Sequence, residues 1–453
     1  MSSKLEFHGG IGSVTGANFV LETDNKRIMI DCGLIQGDKF AESANREPFP
    51  YNPAEIDVLL VTHAHADHIG RIPKLVRDGF QGVIYSTLPT KELAAVMYED
   101  AYRIMIFEEE KFGFERIYEK SDIEAALAIW KTVEYEKTLP LAPGLSARFT
   151  DAGHILGSAM VHVERGDKQV VFTGDVGNVP QPLLNSPVIP RGYDYMIMES
   201  VYGDRSHEEV EERTSLLRMF IEETRKQQGT LIIPAFSLER TQAMLLEINN
   251  LVEKERMEPL PVFLDSPLAI RVTEIYKKYT TYMKTSVREQ IKAGDDIFAF
   301  SGLKFTRTVE DSRDIHKVHG AKIIIAGSGM SHGGRIQEHE KRYLEEKDTT
   351  LLLVGYQAVG SLGRRLVDGA KRVRIHDTEV KVKAKVARIR GYSGHADREQ
   401  LIDLVARGGD NAKQIFVTMG EEKSSLHLVQ RLRDYLGVNA IAPSPGQVVE
   451  IDF

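Results

Sequence analysis

Short apolar runs separated by polar turns alternate with stretches of helical periodicity in the first part of the chain. A helix is predicted from Thr90 to Met105, where apolar residues recur at helical spacing. The runs with the length and composition of β-strands are Phe19 to Glu22, Arg27 to Asp31, Val58 to Val61, Ala147 to Thr150 and Gln169 to Thr173. Most of these predicted strands lead into polar loops.

The pattern changes after Tyr202, where longer helices alternate with fully apolar strands. Glu208 to Gln228 and Leu238 to Glu255 have helical periodicity, and the apolar runs TLIIPAF, PVFLD, KIIIAG and TLLLVGY are each followed by helical sequence. Such alternation is typical of a parallel sheet with its own helices. From about Arg390 the chain returns to strand, loop and helix. We therefore predict an α/β protein in which residues 208–389 are inserted into a domain formed by residues 1–207 and 390–453.

Composition narrows the class of protein only a little. The 453 residues have 42% hydrophobic content and a net charge of −8, so no global charge argument favours nucleic acid. No apolar run approaches the length of a membrane span, and the start lacks a signal-peptide pattern. The single cysteine, Cys32, fits a reducing compartment and is expected to be a small buried residue. We predict a cytoplasmic protein with no membrane partner.

Four metal-ligand side chains fall within six positions of VTHAHADHIG, residues 61 to 70. His63, His65, Asp67 and His68 follow directly on an apolar run, so they lie at the end of a predicted strand. Histidine and carboxylate clusters at this spacing usually hold a metal ion.

Two further candidates follow other strands. His154 in DAGH comes after the strand that ends at Thr150, and Asp175 in FTGD comes after the strand that ends at Thr173. Active sites of layered α/β proteins gather at strand ends. The neutral imidazole and carboxylate groups are suitable ligands for zinc, and one carboxylate can bridge two ions.

With these motifs in order, the sequence resembles the metallo-β-lactamase superfamily. THAHADH matches its HxHxDH motif, IDCG its early aspartate, DAGH its lone histidine and FTGD its bridging aspartate. MESVYGDR, PAFSLERTQ, GSGMSHGGR, GYQAVGSLGRR and GYSGHAD further resemble the β-CASP nucleases, which carry a second domain inserted in the lactamase fold. The resemblance covers nearly the whole chain. It implies a metallo-β-lactamase αββα sandwich with an inserted parallel α/β domain.

The resemblance also implies roles for individual residues. His63, His65, His154 and Asp175 would hold a first Zn²⁺, while Asp67 and His68 would contribute to a second, with Asp175 as the bridge. Asp31 would orient a ligand. Glu199 in MESVYG and His395 in GYSGHAD would be the catalytic pair, with the histidine as general acid and the glutamate holding it.

One position departs from the family pattern. RNA-processing members usually have a histidine that completes the second zinc site where this chain has Met419, in IFVTMGEE. A thioether is a poor ligand for zinc among oxygen and imidazole groups. A weak second ion, one ion only, or rescue by another residue such as His427 are the outcomes left open. We expect a weakened second site with activity retained.

Two segments are candidates for binding a phosphate chain. The glycine-rich GSGMSHGGR follows a strand and precedes a helix, so Ser328, Gly329, Ser331 and Arg335 could cradle phosphate, although a plain turn explains the loop equally well. Between Arg364 and Arg390 there are ten basic residues against three acids. Two explanations fit this excess of basic residues: a solvated strand face, or a basic surface that binds the nucleic-acid backbone. Arg240, Arg364 and Arg365 are the arginines predicted to contact substrate.

These observations favour a zinc-dependent ribonuclease acting on single-stranded RNA, from an end or internally. Met419 leaves open a DNA nuclease of the same architecture, since DNA-processing relatives also have an apolar residue there. A catalytically weakened RNA-binding subunit is a third hypothesis. It is less favoured because the metal motifs, Glu199 and His395 are retained. The sequence leaves assembly as a homodimer open.

Overall fold

A computed structural model of the chain describes residues 3–37, 41–207, 210–357 and 360–453. The chain forms two compact units. The first contains the chain up to Gln181 together with Ser186–Ser206 and His395–Phe453, and the second contains Pro182–Asn185 and His207–Gly394. Within the described residues, no helix combines the length and the apolar character that crossing a membrane requires.

The strands are short and occur in both units. In chain order they are β1 (Ser3–Gly9), β2 (Asn18–Thr23), β3 (Lys26–Ile30), β4 (Val58–Leu60), β5 (Val83–Ser86), β6 (Trp130–Thr132), β7 (Leu139–Ala142), β8 (Leu145–Asp151), β9 (Ala159–Arg165), β10 (Lys168–Phe172), β11 (Tyr195–Met198), β12 (Thr230–Pro234), β13 (Val262–Asp265), β14 (Leu303–Phe305), β15 (Lys322–Ala326), β16 (Thr349–Leu353), β17 (Arg372–Ile375), β18 (Thr378–Lys381), β19 (Lys385–Arg388), β20 (Gln414–Val417), β21 (Ala440–Ile441) and β22 (Val448–Ile451).

The helices lie between these strands. They are α1 (Ala41–Arg46), α2 (Ala66–Ile69), α3 (Ile72–Arg77), α4 (Leu88–Phe112), α5 (Lys120–Ala128), α6 (Val210–Gln227), α7 (Arg240–Asn249), α8 (Pro267–Lys278), α9 (Thr285–Lys292), α10 (Val309–Asp314), α11 (Ile336–Tyr343), α12 (Leu362–Val367), α13 (Arg398–Gly408) and α14 (Glu422–Leu436). A π-helical turn, Asn250–Lys254, continues α7.

The first unit is a sandwich of two sheets. Within the described residues their strand orders are β22-β1-β2-β3-β4-β5-β6 and β21-β20-β11-β10-β9-β8-β7. Side chains from both sheets form one apolar core between them, including Phe7 and Phe19 from the first sheet and Phe172 and Phe416 from the second. A second apolar cluster packs α13 and α14 against the other face of the second sheet. Burial of apolar area on both faces of the sheets is what stabilises this layered arrangement.

The second unit contains a parallel sheet of order β14-β13-β15-β12-β16-β19. Its central strands β12, β13, β15 and β16 are buried along their whole length, which is why they appear in the sequence as uninterrupted apolar runs. A parallel sheet directs the loops after its strands to one edge. The β17–β18 hairpin belongs to this unit as a separate two-stranded sheet.

The predicted fold class is confirmed, and the differences are local. The predicted helix from Leu238 begins two residues later, because Glu239 adopts a left-handed φ of +60° before α7. The first two residues of the helix predicted from Glu208, and Ala358 and Val359 of GYQAVGSLGRR, lie outside the described residues. Cys32 is fully buried, and burial raises the pKa of its thiol to about 11, so it is the inert core residue that was expected.

Candidate metal centre

The ligand-type atoms of His63, His65, His154 and Asp175 all lie within 4.8 Å of one another. Nδ1 of His65 is 3.1 Å from Nε2 of His63 and 3.2 Å from Nε2 of His154. Oδ2 of Asp175 is 3.3 Å from both of those Nε2 atoms. Four ligands around a tetrahedral ion with bonds of about 2.0–2.1 Å would be about 3.3–3.4 Å apart. The group therefore has the spacing that a tetrahedral divalent ion requires.

The fold brings these residues together from three loops at strand ends. His63 lies just after β4, and His65 immediately precedes α2. The loop between β8 and β9 carries His154, and the Ser158 hydroxyl fixes that loop by accepting the backbone N–H of His154 at 3.0 Å. Asp175 lies just after β10. Strand ends from both sheets thus bring together candidate ligands that are far apart in the sequence.

His68 and Asp67, both on α2, lie beside the same aspartate. Nε2 of His68 is 3.3 Å from Oδ1 of Asp175. Among the described residues these two atoms are buried without a hydrogen-bond partner. Burying such groups unsatisfied is costly, and a second cation would satisfy both. The donor set therefore fits an ion at this position as well.

Electrostatics within the first group favours neutral imidazoles. Burial lowers the pKa of His63, and it lowers the pKa of His65 and His154 well below the ordinary value. Neutral imidazole is the form that binds a metal. Burial would raise the pKa of the Asp175 carboxyl, but the imidazoles of His68 and His63 hold it well below its usual range. Three uncharged nitrogens facing one carboxylate are suitable ligands for a divalent cation.

The second group is more strongly charged. Burial would lower the pKa of His68, but the carboxylates of Asp175 and Asp31 raise it well above the ordinary value. Burial raises the pKa of the Asp67 carboxyl, and the His68 imidazole partly offsets that effect. These two residues thus form a polar pair against Asp175, where an ion would have carboxylate and imidazole donors.

Glu199 and His395 form a pair next to the metal-ligand group. Nδ1 of His395 lies 3.1 Å from Oε1 of Glu199 and 3.9 Å from Oδ2 of Asp175. The buried Glu199 carboxylate is held by the backbone N–H groups of Val176 and Val201, which donate to it at 2.8 and 3.2 Å. Burial would lower the pKa of His395, whereas the Glu199 and Asp175 carboxylates raise it. The arrangement can hold a proton on an imidazole beside a bound metal.

Asp31 and Thr62 lie next to the Nδ1 atoms of the candidate ligands His68 and His63. Asp31 lies 2.7 Å from Nδ1 of His68, and it accepts the Thr62 hydroxyl at 2.7 Å. The same hydroxyl is 3.0 Å from Nδ1 of His63. Sequence reasoning did not single out Thr62. Its position directly before HxHxDH is the only signal that could have found it.

Met419 contributes no polar atom to this centre. Its side chain belongs to the apolar core between the sheets, and a Cβ on Gly10 would lie only 2.2 Å from its sulfur. His427 lies on α14, where its Nε2 is 3.5 Å from Nε of Arg431. Within the described residues, two clusters of ligand-type side chains could hold a metal ion, and neither contains His427. One consists of His63, His65, His154 and Asp175, and the other of Asp175, Glu199 and His395.

The glycine-rich loop after β15 lies at the carboxyl edge of the second unit's sheet. The Ser328 hydroxyl accepts the N–H groups of His332 and Gly333 at 3.0 and 3.3 Å. Gly329 allows a close approach to Phe236, because a Cβ there would lie 2.8 Å from the Phe236 nitrogen.

Two predicted phosphate contacts in this loop bind other protein groups. Ser331 is fully buried and donates its hydroxyl hydrogen to Glu340. Arg335 donates to the buried Asp265 carboxylate at 2.6 Å and to the carbonyls of Thr306 and Arg307. Both side chains therefore stabilise the loop within its own unit.

The predicted arginines lie around the same sheet edge. The N–H of Gly363 donates to the carbonyl of Met330 in the glycine-rich loop at 3.3 Å. The first turn of α12, which includes Arg364, therefore lies beside that loop. Nε of Arg364 donates to Asp368 at 3.0 Å, while Arg365 is exposed. Arg240 begins α7 and is largely buried.

The basic segment forms one exposed face of the β17–β18 hairpin and the residues after it. Val373, Ile375 and Val380 are buried, whereas the alternating basic residues Lys371, Arg372, Arg374, Lys381, Lys383 and Lys385 are exposed. Arg372 pairs with Glu379 and Lys385 with Glu223, each at 2.6 Å. The alternation of buried apolar and exposed basic residues is the pattern of strands with one solvated face. The exposed basic residues also form a positively charged surface, the basic face.

Three family models match the chain. The metallo-beta-lactamase superfamily domain matches residues 20–191, the Beta-Casp domain residues 241–366, and the Zn-dependent metallo-hydrolase RNA specificity domain residues 379–443. The inserted unit thus corresponds to the Beta-Casp match.

Similar proteins align over nearly the whole chain. Ribonuclease TTHA0252 of Thermus thermophilus is 35% identical over 93% of this chain and 94% of its own length. Transcription termination factor FttA of Methanosarcina mazei is 31% identical over 96% of this chain and 69% of its own length. A crystal structure of a protein of unknown function from Enterococcus faecalis shares the fold, with a TM-score of 0.59 and 13% identity over the full length of both chains.

Fold, ligand groups and matches together define a metal-dependent hydrolase of the nuclease class. The chain belongs to the metallo-β-lactamase superfamily and, within it, to the β-CASP family, as its motifs predicted.

Proposed function

We propose that the protein is a zinc-dependent ribonuclease that hydrolyses phosphodiester bonds in single-stranded RNA. The observation that carries the proposal is the position of the Glu199–His395 pair, with His395 Nδ1 only 3.9 Å from the Asp175 carboxylate of the metal-ligand group. A nuclease needs a metal and a proton donor within reach of the same phosphate. The RNA specificity match over residues 379–443 and the name of the ribonuclease relative support RNA as the substrate.

His63, His65, His154 and Asp175 would hold the first ion. Asp67 and His68, with Asp175 as the bridge, would hold a second ion more weakly, because Met419 adds no ligand. A bound divalent ion supplies Lewis-acid chemistry, since it polarises a phosphoryl oxygen and activates water at neutral pH. The first group offers three imidazole nitrogens and one carboxylate oxygen, donors that suit zinc better than calcium or magnesium, which prefer oxygen ligands.

The protein's own groups would handle the proton. His395 keeps a proton that it can donate to the leaving oxygen, because two carboxylates favour its charged form. Glu199 fixes the ring through Nδ1, so Nε2 is the atom that would face the substrate. The two backbone N–H groups that donate to Glu199 keep its carboxylate in place.

Substrate phosphates would bind along the carboxyl edge of the inserted sheet and the basic face. Ser328, the backbone of Gly329, Arg240, Arg364 and Arg365 remain the proposed contacts. Ser331 and Arg335 would act by shaping the loop, since their polar atoms bind Glu340 and Asp265. Aromatic side chains are sparse on the basic face, so the phosphate backbone would supply most of the affinity.

Cleavage of labelled single strands of RNA and DNA, with and without a chelator, tests the proposal. We expect metal-dependent cleavage of RNA, a loss of about 10²-fold or more in His395→Ala, and no loss in His427→Ala, whose ring lies outside both ligand groups. Preferential cleavage of DNA would support the alternative DNA nuclease. Binding of RNA without cleavage would support the alternative binding subunit. RNA cleavage at the parent rate by His395→Ala would refute the assigned role.

A further inference from the structure

The carboxylate of Asp31 contacts His68 of one ligand group directly and is linked to His63 of the other group through Thr62. One oxygen, Oδ1, accepts the backbone N–H of Thr62 at 2.8 Å. The other, Oδ2, accepts the Thr62 hydroxyl at 2.7 Å and lies 2.7 Å from Nδ1 of His68. The Thr62 hydroxyl oxygen is in turn 3.0 Å from Nδ1 of His63. His68 therefore contacts Asp31 directly, whereas His63 contacts it through Thr62.

Counting hydrogens fixes the direction of these bonds. A threonine hydroxyl has one hydrogen, and an ionised carboxylate can only accept. Because the hydroxyl hydrogen of Thr62 is donated to Asp31, its oxygen can only accept. The nearer donor is Nδ1–H of His63 at 3.0 Å, whereas Nδ1 of His68 is 3.4 Å away and lies closer to Asp31. A neutral histidine with its hydrogen on Nδ1 has a lone pair on Nε2. That is the atom of His63 that faces the metal-ligand group.

The alternative tautomer of His63 has a partner of its own. Nε2 of His63 lies 3.3 Å from Oδ2 of Asp175, a carboxylate that would accept a hydrogen placed on Nε2. A hydrogen there would block the lone pair needed for a metal. The Thr62 acceptor opposes this by stabilising the hydrogen on the opposite nitrogen.

The Thr62 side chain is held in place by close packing. Gly174, which precedes Asp175 and has a left-handed φ of +54°, would place a Cβ only 2.7 Å from the Cβ of Thr62. The Thr62 carbonyl accepts the N–H of Ala159 at 2.8 Å. Glycine at position 174 thus lets the loop that carries Asp175 pack directly on Thr62, which leaves the threonine little freedom to rotate.

We propose that Thr62 is a positioning residue through which Asp31 sets the tautomer of His63, so that one carboxylate prepares a histidine ligand in each metal group. The inference rests on the proposed metal centre but not on RNA as the substrate. It assigns a function to the hydroxyl of Thr62 that valine, its isostere, cannot perform. Serine can perform it.

Zinc affinity, measured by competition with a chromophoric chelator, is the first test. Removing an indirect partner of a metal ligand usually weakens binding about 10- to 100-fold. We expect Thr62→Val to bind the tighter zinc about 10- to 100-fold more weakly and Thr62→Ser to bind it like the parent. Thermal melting of the metal-free variants establishes that each is folded. Equal affinity of a folded Thr62→Val and the parent would overturn the proposal.

Imidazole N–H resonances of the zinc-loaded protein, labelled with ¹⁵N-histidine, provide a readout that general destabilisation would not produce. In Thr62→Val we expect the Nδ1–H signal of His63 to shift and exchange faster with water. The signal of His68 should change less, because its Nδ1 lies 2.7 Å from Asp31 and only 3.4 Å from the Thr62 hydroxyl. In Asp31→Asn both signals should change, because Oδ1 must still face the Thr62 N–H and the amide nitrogen then replaces Oδ2. Asp31→Asn also decides the question if Thr62→Val fails to fold. Unchanged His63 signals in a folded variant would refute the proposal even if RNA cleavage were lost.

Discussion

Nδ1 of His395 lies 3.1 Å from Oε1 of Glu199, although the two residues are 196 positions apart in the sequence. The pair is formed within the first unit, where strand β11 ends at Met198 and the chain re-enters the unit at His395. The inserted unit therefore separates the two partners in the sequence but not in space.

Replacing Glu199 by glutamine should weaken catalysis without removing the metal. The two backbone N–H groups donate to different oxygens of Glu199, so the single amide oxygen of glutamine can accept only one of them, and the uncharged amide cannot favour the charged form of His395. General acid–base catalysis contributes about 10²- to 10⁴-fold, so we expect single-turnover RNA cleavage to fall by about 10²-fold. Zinc content, measured on the same sample, should match that of the parent. Cleavage at the parent rate would contradict the role of the pair.

The metal stoichiometry should reflect the side chain at position 419. Elemental analysis during chelator titration is expected to show one tight zinc and one that is removed first. Met419→His adds an imidazole, so it should increase the affinity for the weaker ion by at least about tenfold. Even the loss of an indirect partner of a metal ligand usually changes metal affinity by that much. Met419→Leu conserves volume and should leave both affinities unchanged. Two equally tight ions in the parent would refute the missing-ligand argument.

Binding of RNA should depend on salt through the arginines at the edge of the inserted sheet. Each phosphate contact to a single strand contributes about 0.7 to the slope of log affinity against log salt. Arg364→Ala in metal-free protein should reduce the slope by about that amount, as measured by fluorescence anisotropy. Arg407→Ala is a matched control. Arg407 pairs with Asp403 one helical turn away, as Arg364 pairs with Asp368. Equal slopes for the parent, Arg364→Ala and Arg407→Ala would indicate that the basic face is a solvated surface that does not contact RNA.

The stability of the inserted unit should depend on pH through Glu340. Burial raises the pKa of this carboxyl to about 8, so the folded protein keeps a proton that the unfolded chain, with a pKa of about 4.3, has lost. Between these two values the free energy of unfolding should fall by about 1.4 kcal/mol per pH unit. Above the folded value it should level off.

Glu340→Gln removes this titration and keeps an acceptor for the Ser331 hydroxyl. The melting temperature of the variant should rise relative to the parent as the pH increases from about 5 to about 8. Circular dichroism of metal-free samples measures the difference. A difference that stays constant with pH would show that Glu340 is ionised in the folded protein.

The grouping of the candidate metal ligands could be predicted from the sequence because they follow the ends of predicted strands. The end of a strand places a side chain at the edge of its sheet, regardless of the contacts that this side chain makes. His63, His154 and Asp175 could therefore be expected to lie close together before any distance was known. The two-unit organisation could be predicted for a related reason. Fully buried strands such as β12 and β15 alternate with helical sequence, a pattern typical of a parallel sheet with its own helices.

Roles that depend on a hydrogen-bond partner could not be predicted in this way. Ser331 and Arg335 have the side chains of a phosphate site, yet Glu340 and Asp265, which bind them, lie nine residues later and seventy residues earlier. The support that Thr62 gives depends on its rotamer and on the close packing of Gly174. No local pattern reports such partners.

Anomalous diffraction at the zinc edge, from crystals grown with zinc, tests the central claim most directly. The account predicts a strong peak about 2.0–2.2 Å from nitrogens of His63, His65 and His154 and from an oxygen of Asp175. A weaker peak is expected beside His68 and Asp67. Fully zinc-loaded crystals in which His63, His154 and Asp175 share no ion would contradict the account.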